Sequence, residues 1–257
     1  MKAARDTWYM IGRQARNLLR EPIWIAILLV QPMVWLLLYG QLFKNVTRLG
    51  GFGTDSYITF LAPAIVVMNA FFSASWSGMS MVFDIERKFV ERFLATPASR
   101  LSIVLSQIVR SAVTAAIQGV IILVVAAALG VRVHSGFAGW VVILLVAMLV
   151  NAAFAGFSQG IALLVRREST VIALANFISL PLLFLSSTLL AETQMPHWMR
   201  VLSDFNPVNW GVRASRGVVL PGTDWGSVGE HLGYLFALSV VTAAFANWTF
   251  RVYKRSL

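Results

Sequence analysis

The chain has 257 residues, 58% of them hydrophobic, and carries 17 Arg and 4 Lys against 11 acidic residues with no Cys. So apolar a composition, with mean hydropathy +0.74, exceeds what a soluble domain can bury. The charges gather at the ends of apolar runs rather than on one soluble basic face, so no nucleic-acid partner is expected, and the lack of Cys excludes disulfides, thiolate catalysis and Cys-ligated metals.

The N-terminal segment is polar and long, and the first apolar run lacks a small-residue cleavage site, so no cleavable signal peptide is expected. On a helical wheel Arg5, Arg13, Arg16 and Arg20 share one side while Trp8, Ile11, Ala15, Leu18 and Leu19 share another. This predicts an interfacial helix over 5–20, its guanidinium groups near anionic headgroups and Pro22 breaking into the first span.

Six apolar runs follow, at about 22–43, 57–82, 101–129, 138–165, 170–190 and 231–250. Each reaches the roughly 20 residues needed to cross a hydrocarbon core about 30 Å thick. Backbone amides in lipid must be paired internally, and the runs lack strand alternation, so an all-α membrane protein with six transmembrane helices is expected. With the N-terminus placed in the cytoplasm, fourteen Lys and Arg lie inside and six outside, which puts both termini inside. Arg110 falls in the third run, where it is expected to snorkel inward or to sit on a cytoplasmic extension of that helix.

Between the second and third runs stands "DIERKFVERFLATPASR", residues 84–100, with seven charged residues. Asp84 reads as an N-cap and Pro97 as a stop, which predicts an amphipathic helix over 84–95. Ile85, Phe89, Val90, Phe93 and Leu94 take one half of it. Arg87, Lys88, Glu91 and Arg92 take the other, with Glu86 intruding on the apolar side. The segment reads either as a solvated connector or as a helix that docks its aromatic knobs into a groove on a cytoplasmic protein.

Residues 191–230 form the one sizeable outer segment. Pro196 reads as a first-turn residue, Asn206 as an N-cap before Pro207, and Pro221–Gly222 as an end. Two short helices dipping into the outer leaflet are expected over 192–220, with Trp198, Trp210 and Trp225 at the interface.

The sequence has no P-loop, no H-E-x-x-H and no G-x-S-x-G, and His134, His197 and His231 are scattered. No catalytic or metal-ligating residue is therefore expected. No Asp or Glu lies deep in a span, which weakens ion-coupled transport. The neutral polar residues Gln31, Asn69, Ser73, Gln118, Asn151, Gln159, Asn176, Ser179 and Ser186 serve interhelical hydrogen bonding, helped by Gly78, Gly119, Gly156 and Gly160. As a set they equally suit a mildly polar route, for which Asn69, Ser73, Asn176, Ser179 and Ser186 are the candidates.

Three stretches then resemble one family, the ABC-2 type permeases of bacterial ABC exporters. "ERFLATPASR" is similar to the family pattern after the second span, through Glu91, Leu94, Thr96, Pro97, Ser99 and Arg100. "LPLLFLSSTLL" matches in the fifth span through Pro181, Phe184, Leu185, Ser186 and Ser187. "MPHWMRVLSDFNPVNWGVRASR" matches the outer segment through Pro196, Trp198, Asn206, Pro207 and Arg213. The first motif is most similar to the daunorubicin-resistance type, and nodulation-factor exporters belong to the same family. Phe89 departs from the Gly that many relatives carry before the Glu.

The resemblance implies a single transmembrane domain over 1–257 in the bacterial inner membrane, paired with a second permease chain as homo- or heterodimer. Two P-loop ATPase subunits would hold ATP and Mg, with no cofactor on this chain, which is not itself an enzyme. The 84–95 helix would be the coupling helix, through Asp84, Glu86, Arg87, Lys88, Phe89, Glu91, Arg92, Phe93 and Leu94. Arg166 and Arg167 would make a second, smaller contact with the ATPase. The outer hairpin would hold Trp198, Asn206, Pro207, Trp210 and Arg213. An amphipathic drug-like molecule or a lipid would pass outward near spans one, two and five, among membrane lipids. A lipid, glycolipid or polysaccharide exporter is the alternative within the class; an ion-coupled carrier and a membrane-embedded lipid enzyme are alternatives outside it.

Overall fold

The computed structural model describes residues 29–87 and 100–255, and the helix expected over 5–20 lies outside them. Nine helices order the described chain. They are α1 (Leu29–Leu42), α2 (Tyr57–Ser75), α3 (Ser77–Glu86), α4 (Arg100–Ala128), α5 (Gly136–Val165), α6 (Glu168–Phe184), α7 (His197–Asp204), α8 (Pro207–Val219) and α9 (Trp225–Arg255). No strand occurs among the described residues.

Four stretches are long and apolar enough to cross a membrane: Tyr57–Glu86, Val104–Ala128, Gly136–Val165 and Trp225–Tyr253. The first and fifth of the expected runs correspond to the shorter apolar helices Leu29–Leu42 and Glu168–Phe184. The chain is thus an all-helical integral membrane protein. In α1 the residues Trp35–Tyr39 wind as a π-helix.

α5 is the axis of the bundle and touches α2, α3, α4, α6, α8 and α9. It approaches α9 closely because Gly156 and Gly160 face that helix. A Cβ at Gly156 would lie 3.0 Å from the Thr242 carbonyl carbon, and one at Gly160 would lie 2.4 Å from the Phe245 ring. Small residues at such a seam let two backbones pack without an intervening side chain.

Two apolar clusters define two ends. Phe52, Tyr57, Phe60, Val131, Ile143 and Val218 pack together at the end that carries α7 and α8, here the hairpin end. Met81, Val82, Val104, Leu163, Val171, Phe250 and Tyr253 pack at the opposite, loop end.

Two expectations need correction. Asp84 does not start a helix: it lies in the last turn of α3, which runs on from the second span to Glu86. Its carboxylate accepts a hydrogen bond from Gln107 Nε2 of α4 at 2.7 Å, so it is engaged sideways and caps nothing. Residues 88–99, with most of the expected coupling helix, lie outside the described residues. The fifth apolar run does not stay helical to residue 190 but ends at Phe184. Beyond it the Ser186 and Thr188 hydroxyls bond to each other, and Ser187 and Thr188 bond to the hairpin, which competes with helix continuation.

Candidate functional site

The stretch "SASWSGMS" interrupts Tyr57–Glu86, the most buried of the four long stretches. α2 stops at Ser75, Trp76 links, and α3 resumes at Ser77. Clustered Ser and Gly favour such a break, because hydroxyls compete for the ladder and Gly adds backbone freedom. Beside the break, α2, α5 and α6 border a small, half-open groove walled by Phe71, Phe154, Phe157 and Ile178. Its continuation past Trp76 is bordered by Phe72, Met79 and Asn176.

Ser75 and Ser179 meet in the groove with their hydroxyls 3.1 Å apart, and Ser75 also donates to the Phe71 carbonyl. No charged side chain among the described residues lines either part. Aromatic walls with a few hydroxyls and one amide suit an amphipathic molecule with a mainly apolar body.

The five expected path residues do not share one site. Asn176 and Ser179 line the groove. Asn69 is buried and donates to Gln118 Oε1 at 2.9 Å, while Ser73 accepts from Asn151. Asn151 also donates to the Ala70 carbonyl, and Gln159 to Ser77 Oγ. These pairs bind α2 and α3 to α4 and α5 in the bundle interior. Ser186 lies nearer the hairpin end, bonded to Leu183 and Thr188.

At the loop end α3 finishes with Glu86 and Arg87, both exposed. Arg166 ends α5 in the left-handed region at φ 55°, donating its backbone N–H to Ala162 and placing its guanidinium 4.6 Å from the Tyr253 ring centroid. Arg167 is exposed, and Glu168 opens α6, where an acidic residue suits the helix N-terminus. The shared cluster of Met81, Leu163 and Tyr253 brings the ends of α3, α5 and α9 together. Lys88, Phe89, Glu91, Arg92, Phe93 and Leu94 lie outside the described residues.

The hairpin end is a polar network. Asn206 caps α8 by accepting from the Val208 N–H at 2.9 Å, Pro207 follows as the first helical residue, and Asn206 Nδ2 reaches the Leu182 carbonyl. Arg213 grips both Glu192 oxygens, at 2.6 and 2.9 Å, and Asp204 at 2.6 Å. Trp210 donates to the Asp204 carbonyl, and Trp198 stays exposed. Burial would raise the Glu192 pKa, but Arg213 and the Asn209 amide outweigh it and hold the carboxyl below its ordinary value. Arg213 is raised, chiefly by its bonds to Glu192.

Arg216, one turn on, is buried and touches no carboxylate directly. Its Nε donates to Phe60 O at 3.1 Å, Nη1 to Ser187 O at 2.6 Å and Nη2 to Thr188 O at 2.8 Å, with the guanidinium over the Phe60 ring. Burial pulls its pKa down to about 9, and Glu192 and Tyr57 work the other way, so it keeps its charge at neutral pH. Sequence reading singled out Arg213 but counted Arg216 as one more outer charge. The signal was its register: Val208, Val212, Arg216 and Val219 form one buried stripe of α8. Ser158 also went unremarked, and nothing in its sequence context marks it.

Against known proteins, a profile of the family described as ABC-2 type transporter matches residues 5–220. The ycf38 protein of Cyanophora paradoxa is 28% identical over 242 residues, covering 94% of this chain and 80% of that protein. The daunorubicin resistance ABC transporter permease protein DrrB1 of Streptomyces coeruleorubidus is 25% identical, over 91% of this chain and 80% of its own length. Nodulation protein J of Sinorhizobium fredii is 27% identical, over 85% and 88%.

Proposed function

Because this chain belongs to the ABC-2 type transporter family, we propose that it is the membrane subunit of an ATP-driven exporter for an amphipathic drug-like molecule or lipid. α1 and α6 complete a six-span unit with the four longer helices. Both termini and the loop end face the cytoplasm of a bacterial inner membrane, and α7 and α8 face outward. Two copies of a separate P-loop ATPase, holding ATP and Mg, dock at residues 84–95 and at Arg166–Arg167, beneath a pair of permease chains. In this reading Asn69, Ser73 and Ser186 support the route, while Asn176 and Ser179 touch the cargo.

The observation that supports the cargo class is the groove beside the α2–α3 break: aromatic walls, two facing hydroxyls, and no charged lining among the described residues. An uncharged groove favours an apolar body with a few hydrogen-bonding groups over a free ion or a sugar phosphate. The similarity to a daunorubicin resistance permease makes an anthracycline the first cargo to try.

The test is co-expression with a candidate ATPase subunit, followed by pull-down and daunorubicin-stimulated ATP hydrolysis in proteoliposomes. Glu91→Arg and Phe93→Ala are expected to abolish both readouts while the chain still inserts in the membrane. Undiminished pull-down by both variants would remove the docking role of 84–95. ATP hydrolysis by the purified chain alone would overturn the division of labour.

A further inference from the structure

The break between α2 and α3 is completed by a third helix. Ser158 of α5 donates its hydroxyl proton to the Ser75 carbonyl at 2.8 Å and accepts the Gly78 N–H at 3.1 Å. One hydroxyl is thereby inserted into the backbone ladder, between the last residue of α2 and the second of α3. In an unbroken helix the Gly78 N–H would serve the carbonyl four residues earlier. A side chain inserted there is a recognised cause of a kink.

The surroundings hold the insertion in place. Gln159 Nε2 donates to Ser77 Oγ at 2.8 Å, and the Met79 N–H turns to the Trp76 carbonyl. Gly78 has to be glycine for this approach, since a Cβ there would lie 2.5 Å from Ser158 Oγ and 2.6 Å from the Ser158 carbonyl oxygen. On the far side of the break, Ser75 meets Ser179 in the groove. α3 then runs from the break to Arg87 at the loop end, directly before residues 88–99.

The geometry points to Ser158 as a positioning residue: its hydroxyl holds α2 and α3 as two segments, so that displacement of α3 at the loop end is delivered to the groove. Without it, Tyr57–Glu86 is one rod whose tilt would move the hairpin end as well. The hinge stands on the Ser158 geometry; what drives α3 rests on the function proposed above. α3 has 10 residues and is about 15 Å long at 1.5 Å per residue. A change of about 20° at the break therefore swings its far end by about 5 Å.

The chain has no Cys, so paired spin labels can be placed at the exposed Phe83 of α3 and Leu164 of α5, in the full chain in lipid nanodiscs. Pulsed EPR should show the distance shifting by about 3–4 Å in Ser158→Ala, because Phe83 stands only about 10 Å along the lever at 1.5 Å per residue, and returning in Ser158→Thr, which keeps the hydroxyl. Gly78→Ala, which crowds the same hydroxyl, should move α3 away from α5 and serves should Ser158→Ala not fold. Unchanged distances in these variants overturn the hinge. With the ATPase subunit bound, Ser158→Ala should lose daunorubicin stimulation while basal hydrolysis persists, and Ser158→Thr should recover it. A shifted distance with full stimulation overturns the role in transmission. Failure of the wild-type chain to engage any ATPase would count against the exporter reading alone, because the label distances need no partner.

Discussion

The two ends of this bundle differ in whether any of their charge is built into the fold. At the hairpin end two cations turn inward: Arg213 holds Glu192 and Asp204, and Arg216 is buried among the carbonyls of Phe60, Ser187 and Thr188, while Lys44, Arg48, Arg132 and Arg200 stay exposed. Both ion pairs found among the described residues belong to Arg213. At the loop end Glu86, Arg87, Arg167 and Arg251 are exposed, and Asp84 is engaged by a neutral amide. A buried cation has to be satisfied by its own chain, whereas an exposed one remains available to a partner. The difference teaches that Arg213 and Arg216 are elements of the fold, whereas the exposed charges of the loop end are elements of a surface.

The largest test of that division is Arg216→Ala. It strips donors from three buried carbonyls, at about 1–3 kcal/mol for each acceptor left unpaired, and removes the cation from the Phe60 ring. Thermal unfolding in detergent should show a loss of several kcal/mol. Arg216→Lys should recover little, because a single ammonium cannot reproduce the planar fork that reaches Nε, Nη1 and Nη2 partners at once. Wild-type stability in Arg216→Ala would mean that the hairpin is held by its apolar contacts instead.

A smaller effect is expected at Glu192, whose side chain is 32% exposed against 27% for Arg213. Solvent screening limits this pair, so Glu192→Gln should cost about 1 kcal/mol. Its pKa is lowered in the folded chain, so the stability it contributes is present above the ordinary value of 4.5 and is lost as pH falls through the lowered folded value. Hydrogen-exchange protection over residues 185–206, taken relative to the intrinsic amide rate at each pH, should therefore fall on acidification below about pH 4.5. In Glu192→Gln the protection should already be reduced at neutral pH, and its dependence on acid should flatten. An acid response identical to wild type would assign it to another group.

Much of this architecture was legible because hydropathy and turn chemistry report directly on burial. The boundaries of α4 and α5 fall within two residues of the expected 101–129 and 138–165. The Asn206–Pro207 start is equally local, since an Asn side chain and a Pro ring act on adjacent backbone. What was not legible depends on partners distant in sequence. Asp84 reads as a cap until Gln107 of α4 engages it. Leu185–Leu190 read as membrane helix until Arg216 and Asn209 take up the Ser187 and Thr188 groups. α9 begins six residues before and ends five after its apolar run, because polar helix extensions leave no hydropathy signal. The groove was half legible: the fifth run contributed Asn176 and Ser179, but Ser75 and Ser158 are ordinary serines in sequence and acquire meaning only across the α2–α3 break.

The smallest stability effect is expected at the loop end, and there it separates fold from function. Arg87→Glu and Arg167→Glu alter exposed side chains that form no ion pair among the described residues, so unfolding should shift by no more than about 0.5 kcal/mol. If this face meets an ATPase subunit, the same reversals should slow association, because charges at an interface rim act on encounter rate and are screened by salt. Binding of the ATPase subunit measured at 20 mM and 300 mM salt, roughly a threefold to fourfold change in screening length, should show the loss at low salt and little of it at high salt. Arg216→Ala should behave in the reverse manner, with unfolding made easier and the surviving folded fraction binding at the wild-type rate. Were Arg87→Glu and Arg167→Glu to bind at the wild-type rate at both salts, these arginines would be ordinary membrane-flanking cations, and the partner surface would rest on residues 88–99 alone.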